Sequence, residues 1–232
     1  MSQKRGGLFI TGTDTDVGKT LVTSLLGALL QAKGYDIGLF KPVQTGVQCP
    51  DLEVYRRFVR LTDADDEIVP VRFREPQAPS IAARMEKKDA QIEKMLRTFY
   101  ILQKRHKNLL IEGVGGILVP IGPKHQVMDL IKEFGLPALV VARPKLGTIN
   151  HTCLTVLALR RAGIRVAGIV FNNLAPGEKE DFMHVEKEIR RLTRVPVLGC
   201  IPSIRPKARP ERILANAGIG FDMKRIQTFF VK

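Results

Sequence analysis

Between an apolar run, Leu8-Phe9-Ile10, and an amphipathic one lies the nonapeptide Gly12 to Thr20, Gly-Thr-Asp-Thr-Asp-Val-Gly-Lys-Thr. A strand, a glycine-and-lysine turn and a helix in that order make a phosphate-cradling loop, because the turn's N–H groups and the helix N-terminus converge on an anion. Gly18 permits close backbone approach, Lys19 brings a point charge to the β- and γ-phosphates, and the Thr20 hydroxyl can ligate Mg2+. The spacing departs from the usual loop: five residues separate Gly12 from Gly18 where four are customary, and Thr13 stands where the first glycine belongs. Leu21, Val22, Leu25, Leu26, Leu29 and Leu30 then recur at helical spacing until Gly34 ends the run. A nucleoside triphosphate is the ligand these residues predict.

The alternation continues along the chain. Strand-like runs occur at Leu8 to Thr11, Ile37 to Val43, Leu109 to Glu112, Ala138 to Ala142, Val166 to Phe171 and Val197 to Ile201. Helical stretches fall at Gly18 to Lys33, Leu52 to Arg60, Asp89 to Arg105, Val127 to Phe134, Thr148 to Ala162 and Lys179 to Thr193. This order predicts an α/β fold, a doubly wound and mainly parallel sheet flanked by helices on both faces, of the P-loop NTPase type. At 232 residues, a single domain over 1–232 can bury its own core. In such folds ligands gather at the carboxyl ends of the strands, so the polar residues there are the candidates.

A net charge of +14 invites a nucleic-acid reading, but the distribution argues against it. Arg56-Arg57, Lys87-Lys88, Lys104-Arg105, Arg160-Arg161, Arg190-Arg191 and the Arg205 to Arg212 stretch fall on different elements and interleave with acids, as solvated helix faces do. No aromatic ladder accompanies them. No nucleic-acid partner is therefore expected, while an anionic nucleotide gains some electrostatic steering. No apolar run reaches the roughly 18 residues of a membrane span, and Met-Ser-Gln-Lys-Arg leads into the first strand without a signal-peptide core, so a cytoplasmic protein without a membrane partner is expected. Cys49, Cys153 and Cys200 lie far apart, which predicts buried or idle thiols rather than a zinc or disulfide framework.

Several strand ends carry chemistry. Lys41-Pro42-Val43-Gln44-Thr45-Gly46 places a lysine after the second strand, aimed at the mouth of the phosphate loop or snorkelling to solvent. Asp51 follows a proline and opens a helix; its spacing favours a plain N-cap, with metal coordination the alternative. Glu112-Gly113-Val114-Gly115-Gly116 sets a carboxylate before three glycines, whose entropy cost implies close backbone approach. A carboxylate beside a triphosphate loop serves Mg2+, and Thr20, Asp51 and Glu112 make a hard-oxygen set; an ion pair at a sheet edge is the other reading of Glu112. The segment Lys145-Leu146-Gly147-Thr148-Ile149-Asn150-His151 opens a helix whose N–H groups suit an anion such as a carboxylate. His151 has no partner at ligand spacing and reads as an interior or interface histidine. Asn172-Asn173 closes a strand, either as a turn or with a side-chain amide reading a base edge.

Together these segments resemble the dethiobiotin synthetase family. Its phosphate loop, Gly-Thr-Asp-Thr-x-Val-Gly-Lys-Thr, has the same five-residue interval, and Lys-Pro-Val-x-Thr-Gly, Glu-Gly-x-Gly-Gly, Leu-Gly-Thr-Ile-Asn-His and a late Ile-Pro, here Ile201-Pro202, follow in the same order over roughly residues 7–205. The resemblance implies that 7,8-diaminopelargonate takes up CO2 as a carbamate, that ATP phosphorylates the carbamate, and that the second amine closes the ring, with Mg2+ as cofactor. It implies that Thr15, Lys19 and Lys41 line the phosphates and carbamate, and that Asp16, Val17, Gly18, Lys19 and Thr20 hold the nucleotide. Asn172 and Pro202 fall toward the base, and Thr20, Asp51 and Glu112 around the metal. Thr45 falls beside the diamine, and Gly147, Thr148 and Asn150 bind its carboxylate across a homodimer interface that shares the active site. The segment Arg74 to Ser80 departs from a family stretch that often carries histidine where Ser80 stands.

Two rivals share the architecture. A partitioning-type P-loop ATPase switch carries a second lysine early in the loop, where this chain has Thr13-Asp14-Thr15, and has no use for Lys41 with Thr45. A cobyrinate-type amide synthetase needs a glutaminase domain with a nucleophilic cysteine, for which the chain has no room.

Overall fold

Strands that read as unbroken apolar runs are buried on both faces, and that is what the centre of this molecule shows. The structure, a computed structural model, describes residues 5–47, 50–177, 179–204 and 209–232. The chain runs β1 (Gly6–Gly12), α1 (Lys19–Ala32), β2 (Ile37–Phe40), β3 (Val43–Thr45), α2 (Pro50–Phe58), α3 (Asp65–Ile68) and β4 (Val71–Phe73). It continues α4 (Pro79–Met85), α5 (Ile92–Arg105), β5 (Asn108–Gly116), β6 (Pro120–Gly122), β7 (His125–Gln126), α6 (Val127–Phe134) and β8 (Ala138–Ala142). The last elements are α7 (Thr148–Arg161), β9 (Val166–Leu174), α8 (Lys179–Thr193), β10 (Val197–Pro202), α9 (Pro210–Gly220) and α10 (Met223–Gln227).

Six strands form one parallel sheet in the order β10-β9-β8-β1-β5-β2. Successive residues of β1 point to opposite faces. Leu8 and Ile10 join a core with Leu25, Leu26 and Leu30 of α1, while Phe9 joins the opposite core with Phe99 and Phe134. The chain leaves β1 toward β2 on one side and leaves β8 toward β9 on the other, so the topological switch lies between β1 and β8. That crevice is where ligands of open α/β sheets bind.

The expected second strand is shorter than Ile37 to Val43. It stops at Phe40, because Pro42 has no N–H to give a ladder, and Val43–Thr45 pairs instead with β4 in a separate two-stranded ladder. α2 starts at Pro50 rather than Leu52, a first-turn position that suits proline. α5 starts at Ile92 rather than Asp89, because Gln91 takes a left-handed φ of 57°. β5 and β9 run past their expected ends at Glu112 and Phe171. The basic Arg205 to Arg212 stretch falls partly outside the described residues; the part that is described leads into α9.

Candidate active site

The phosphate loop is folded around its last glycine. Gly18 caps α1 at φ 93°, in the left-handed region, and a Cβ there would come within 1.9 Å of Asn172 Nδ2. Asn172 is buried and donates to the Val17 carbonyl at 3.1 Å, so one of its amide protons braces the loop from beneath. It lies within β9 rather than in a turn. Val17 turns into the core, leaving Asp14, Thr15 and Asp16 as the exposed crest that the five-residue interval creates. Asp16 has φ 55°, and its carbonyl accepts from the Arg143 guanidinium, which reaches across from the end of β8.

Lys19 is buried and donates to the Asp14 carbonyl at 3.0 Å. Burial lowers its pKa; the Glu112 carboxylate pushes the other way and Lys41 adds to the lowering. An anion in the loop would restore the charge that burial disfavours.

Beside the loop, four expected residues converge: Thr20 of α1, Lys41 after β2, Asp51 of α2 and Glu112 of β5. Thr20 Oγ1 lies 2.9 Å from Asp51 Oδ1 and 2.8 Å from Glu112 Oε1. Lys41, 5% exposed, bonds Asp51 Oδ2 and lies 3.0 Å from Glu112 Oε1. Lys41 is therefore a buried ammonium and not a snorkelling one. Asp51 spends its carboxylate on Thr20 and Lys41, which a plain cap does not do. Glu112, 1% exposed, is ion-paired on β5, an interior strand and not the sheet edge. Burial alone would lower the Lys41 pKa, but Glu112 and Asp51 outweigh it and hold the ammonium above the ordinary lysine value. The two ion pairs thus favour the charged form of Lys41.

Thr20 has one hydroxyl proton and faces two carboxylate oxygens, so at most one of them is served by it. A hydroxyl and two carboxylates, all hard oxygens beside a phosphate loop, suit Mg2+ completed by phosphate oxygens and water. The donor set fits the metal.

Sequence reasoning missed two contributors. Tyr55, fully buried on α2, donates to Glu112 Oε2 at 2.6 Å. Its place one turn after Asp51 was the available signal. Arg143, whose guanidinium reaches the Asp16 carbonyl, is the other, and no motif marks it.

The remaining expected residues stand outside this hydrogen-bonded cluster among the described residues. Thr45 ends β3 half-buried, and Pro202 ends β10 exposed. Gly147 caps α7 at φ 90°, with Thr148 buried and Asn150 exposed. Between β1 and α7 a cavity of about 450 Å3 is lined by Gly12, Thr13, Gly116, Leu154, Thr155 and Ala158. His151 is exposed on α7, which overturns the interior reading. Cys153 and Cys200 are half-buried rather than buried, and Cys49 lies outside the described residues.

The parallel sheet, the Gly18-Lys19-Thr20 turn and the carboxylate facing it define a P-loop nucleoside-triphosphate-binding protein. The fold is shared with cell-division ATPases. The MinD of Pyrococcus furiosus aligns with a TM-score of 0.60 at 17% identity over 96% of this chain and 99% of that one. The MinC:MinD complex of Aquifex aeolicus gives 0.60 at 15% over 98% and 97%. The family model described as an AAA domain matches residues 6–211. Closer likeness comes from ATP-dependent dethiobiotin synthetases. That of Bacillus licheniformis is 40% identical, covering 89% of each chain; that of Thermodesulfovibrio yellowstonii is 36% identical over 96% of this chain and 98% of its own. That of Methanococcus vannielii is 38% identical over 84% of this chain and 92% of its own. The chain belongs to the ATP-dependent dethiobiotin synthetase family.

Proposed function

We propose that this ATP-dependent ligase of biotin biosynthesis acts through the cluster of Lys41, Asp51, Glu112 and Thr20 set against the phosphate loop. The reaction converts 7,8-diaminopelargonate, CO2 and ATP to dethiobiotin, ADP and phosphate. An amine lone pair attacks CO2, forming a C–N bond and losing a proton to give a carbamate. A carbamate oxygen attacks the γ-phosphorus and ADP departs. The second amine attacks the activated carbonyl, phosphate leaves, a second proton is lost, and the ring closes. Because both amines belong to one substrate, closure is intramolecular and needs no protein nucleophile.

The observation that carries this reading is the buried Lys41, ion-paired with Asp51 and Glu112 beside the loop, a cation where charge develops as phosphoryl transfer proceeds. Thr15 at the crest and Lys19 add donors around the same oxygens. Asp16, Val17 and Gly18 supply loop backbone to the phosphates. Mg2+ held by Thr20, Asp51 and Glu112 would neutralise β- and γ-phosphate charge. Asn172 keeps its carbonyl and second amide proton for the base, with Pro202 on the adjacent strand.

Thr45 is placed beside the diamine, and Gly147, Thr148 and Asn150 take its carboxylate at the α7 N-terminus of a second copy. Exposed Leu154 and Leu157 on α7, with exposed Leu146 in the turn before it, give an apolar surface that supports such a homodimer. Transfer of label from bicarbonate into dethiobiotin, dependent on diamine and Mg-ATP, tests the reaction; no incorporation refutes it. Mixing Lys19→Ala with a Thr148→Ala/Asn150→Ala double variant tests the shared site. An isologous dimer leaves about one intact site per mixed dimer. No recovered activity in verified heterodimers means each subunit works alone.

A further inference from the structure

A phenol buried in an apolar core needs a partner for its hydroxyl. Tyr55 is fully buried on the core face of α2, and its hydroxyl reaches Glu112 Oε2 at 2.6 Å, within the short range of a charge-assisted O–H···O bond. Asp51 and Tyr55 are four residues apart, so one helix face delivers both a carboxylate and the group that holds a second carboxylate. The two oxygens of Glu112 are thereby divided. Oε2 receives Tyr55, while Oε1 faces Thr20 and Lys41.

We infer that Tyr55 is a positioning residue which, by holding Glu112 Oε2, presents Oε1 alone to the cluster and sets the affinity and selectivity of the site for a hard divalent cation. This rests on the reading of Glu112 as a metal ligand. A carboxylate held at one oxygen is restrained from turning to chelate through both. That favours Mg2+, which demands regular octahedral geometry and uses few carboxylates, over Ca2+, which accepts bidentate carboxylates and irregular shells. A phenylalanine would fill the same volume, so the hydroxyl is what the tyrosine adds. Partners that orient ligands in this way typically change metal affinity by about 10- to 100-fold.

The test compares parent, Tyr55→Phe and Glu112→Gln, each as the full chain with a non-hydrolysable ATP analogue, with Mn2+ as the probe and free Mn2+ read by electron paramagnetic resonance. Tyr55→Phe should bind Mn2+ about tenfold more weakly, bind the metal-free nucleotide as the parent does, and lose part of the preference for Mg2+ over Ca2+ in competition. A purely structural tyrosine would lower the melting temperature and leave these affinities alone. If Glu112→Gln weakens Mn2+ binding and Tyr55→Phe does not, the inference is overturned while the metal reading stands. If Glu112→Gln leaves Mn2+ binding unchanged, the metal reading itself falls and the inference with it.

Should Tyr55→Phe fail to fold, fluorotyrosine labelling of the parent decides. The chain has three tyrosines, Tyr35, Tyr55 and Tyr100, so Tyr35→Phe and Tyr100→Phe assign the Tyr55 fluorine resonance. That resonance must move when Mg2+ joins the nucleotide-bound protein; a stationary one refutes the coupling.

Discussion

Each end of the β2–β5 pair sets one cation between two carboxylates, and the two clusters differ in what they face. At the amino-terminal end His106 lies between Asp36 and Asp63, with Nδ1 and Nε2 each 2.8 Å from a carboxylate oxygen. The remaining oxygens have donors of their own: Lys107 N reaches Asp36 Oδ2 at 2.7 Å, and Arg105 bonds Asp63 Oδ1. The ring lies against Gly38, where a Cβ would come within 2.5 Å of it. At the carboxyl end, Thr20 offers one proton to two oxygens and Lys41 divides itself between Asp51 and Glu112. Both clusters give each carboxylate oxygen a donor; the first, remote from the phosphate loop, ties two strands and a helix end together, whereas the second sets its carboxylates and a lysine against that loop, where a ligand can be held.

The largest effect that separates the two ends is catalytic. Lys41→Ala should lower kcat by roughly 10²- to 10³-fold, the scale of losing one preorganised donor, with the protein still folded by circular dichroism. His106→Gln should leave kcat at the parental value. Parental turnover in Lys41→Ala, or a large loss in His106→Gln, would break the contrast.

A smaller effect runs the other way. His106→Gln removes a charge-assisted pair and should lower the unfolding free energy by about 2 kcal/mol in urea titrations, less if solvent at Asp36 screens its share. Equal stability in parent and variant would make the amino-terminal cluster ornamental.

The smallest effect is a pH profile. The hydrogen bond to Asp63 raises the His106 pKa above its ordinary 6.5 against the opposing effect of burial, and Asp36 adds to the rise. That contribution is therefore complete below about pH 6.5 and lost as pH climbs through the raised folded value. For Asp63, burial pushes upward but His106 and Arg105 outweigh it and hold the carboxyl below 3.8, so its contribution is lost as pH falls through the lowered value. Urea midpoints of the parent should decline on the alkaline side, and those of His106→Gln should decline less. Parallel curves would remove the imidazolium from the explanation.

The same contrast shows what the sequence could carry. The strand, loop and helix of residues 6–32 were legible because motif, glycine geometry and apolar period lie within one stretch. The β3–β4 ladder was not, since three-residue strands have no period to read and Pro42 hides where β2 ends. Lys41 and Glu112 could be named from strand ends, whereas Asp51 alone reads as a cap until the fold brings it to Thr20, 31 residues away. Tyr55 and its carboxylate are 57 residues apart, and His106 and Asp36 are 70 apart. No local pattern pairs such residues, even where one of them, Tyr55, lies one helical turn from a candidate; the crossover topology does.

The central claim is that the cluster at the carboxyl end transfers the γ-phosphoryl group to a carbamate and does not merely time a switch. Phosphate release from Mg-ATP, measured with and without 7,8-diaminopelargonate and bicarbonate, tests it most directly. Release should require all three and match dethiobiotin one for one. Release at the same rate without the diamine would contradict the claim and make the chain a nucleotide switch.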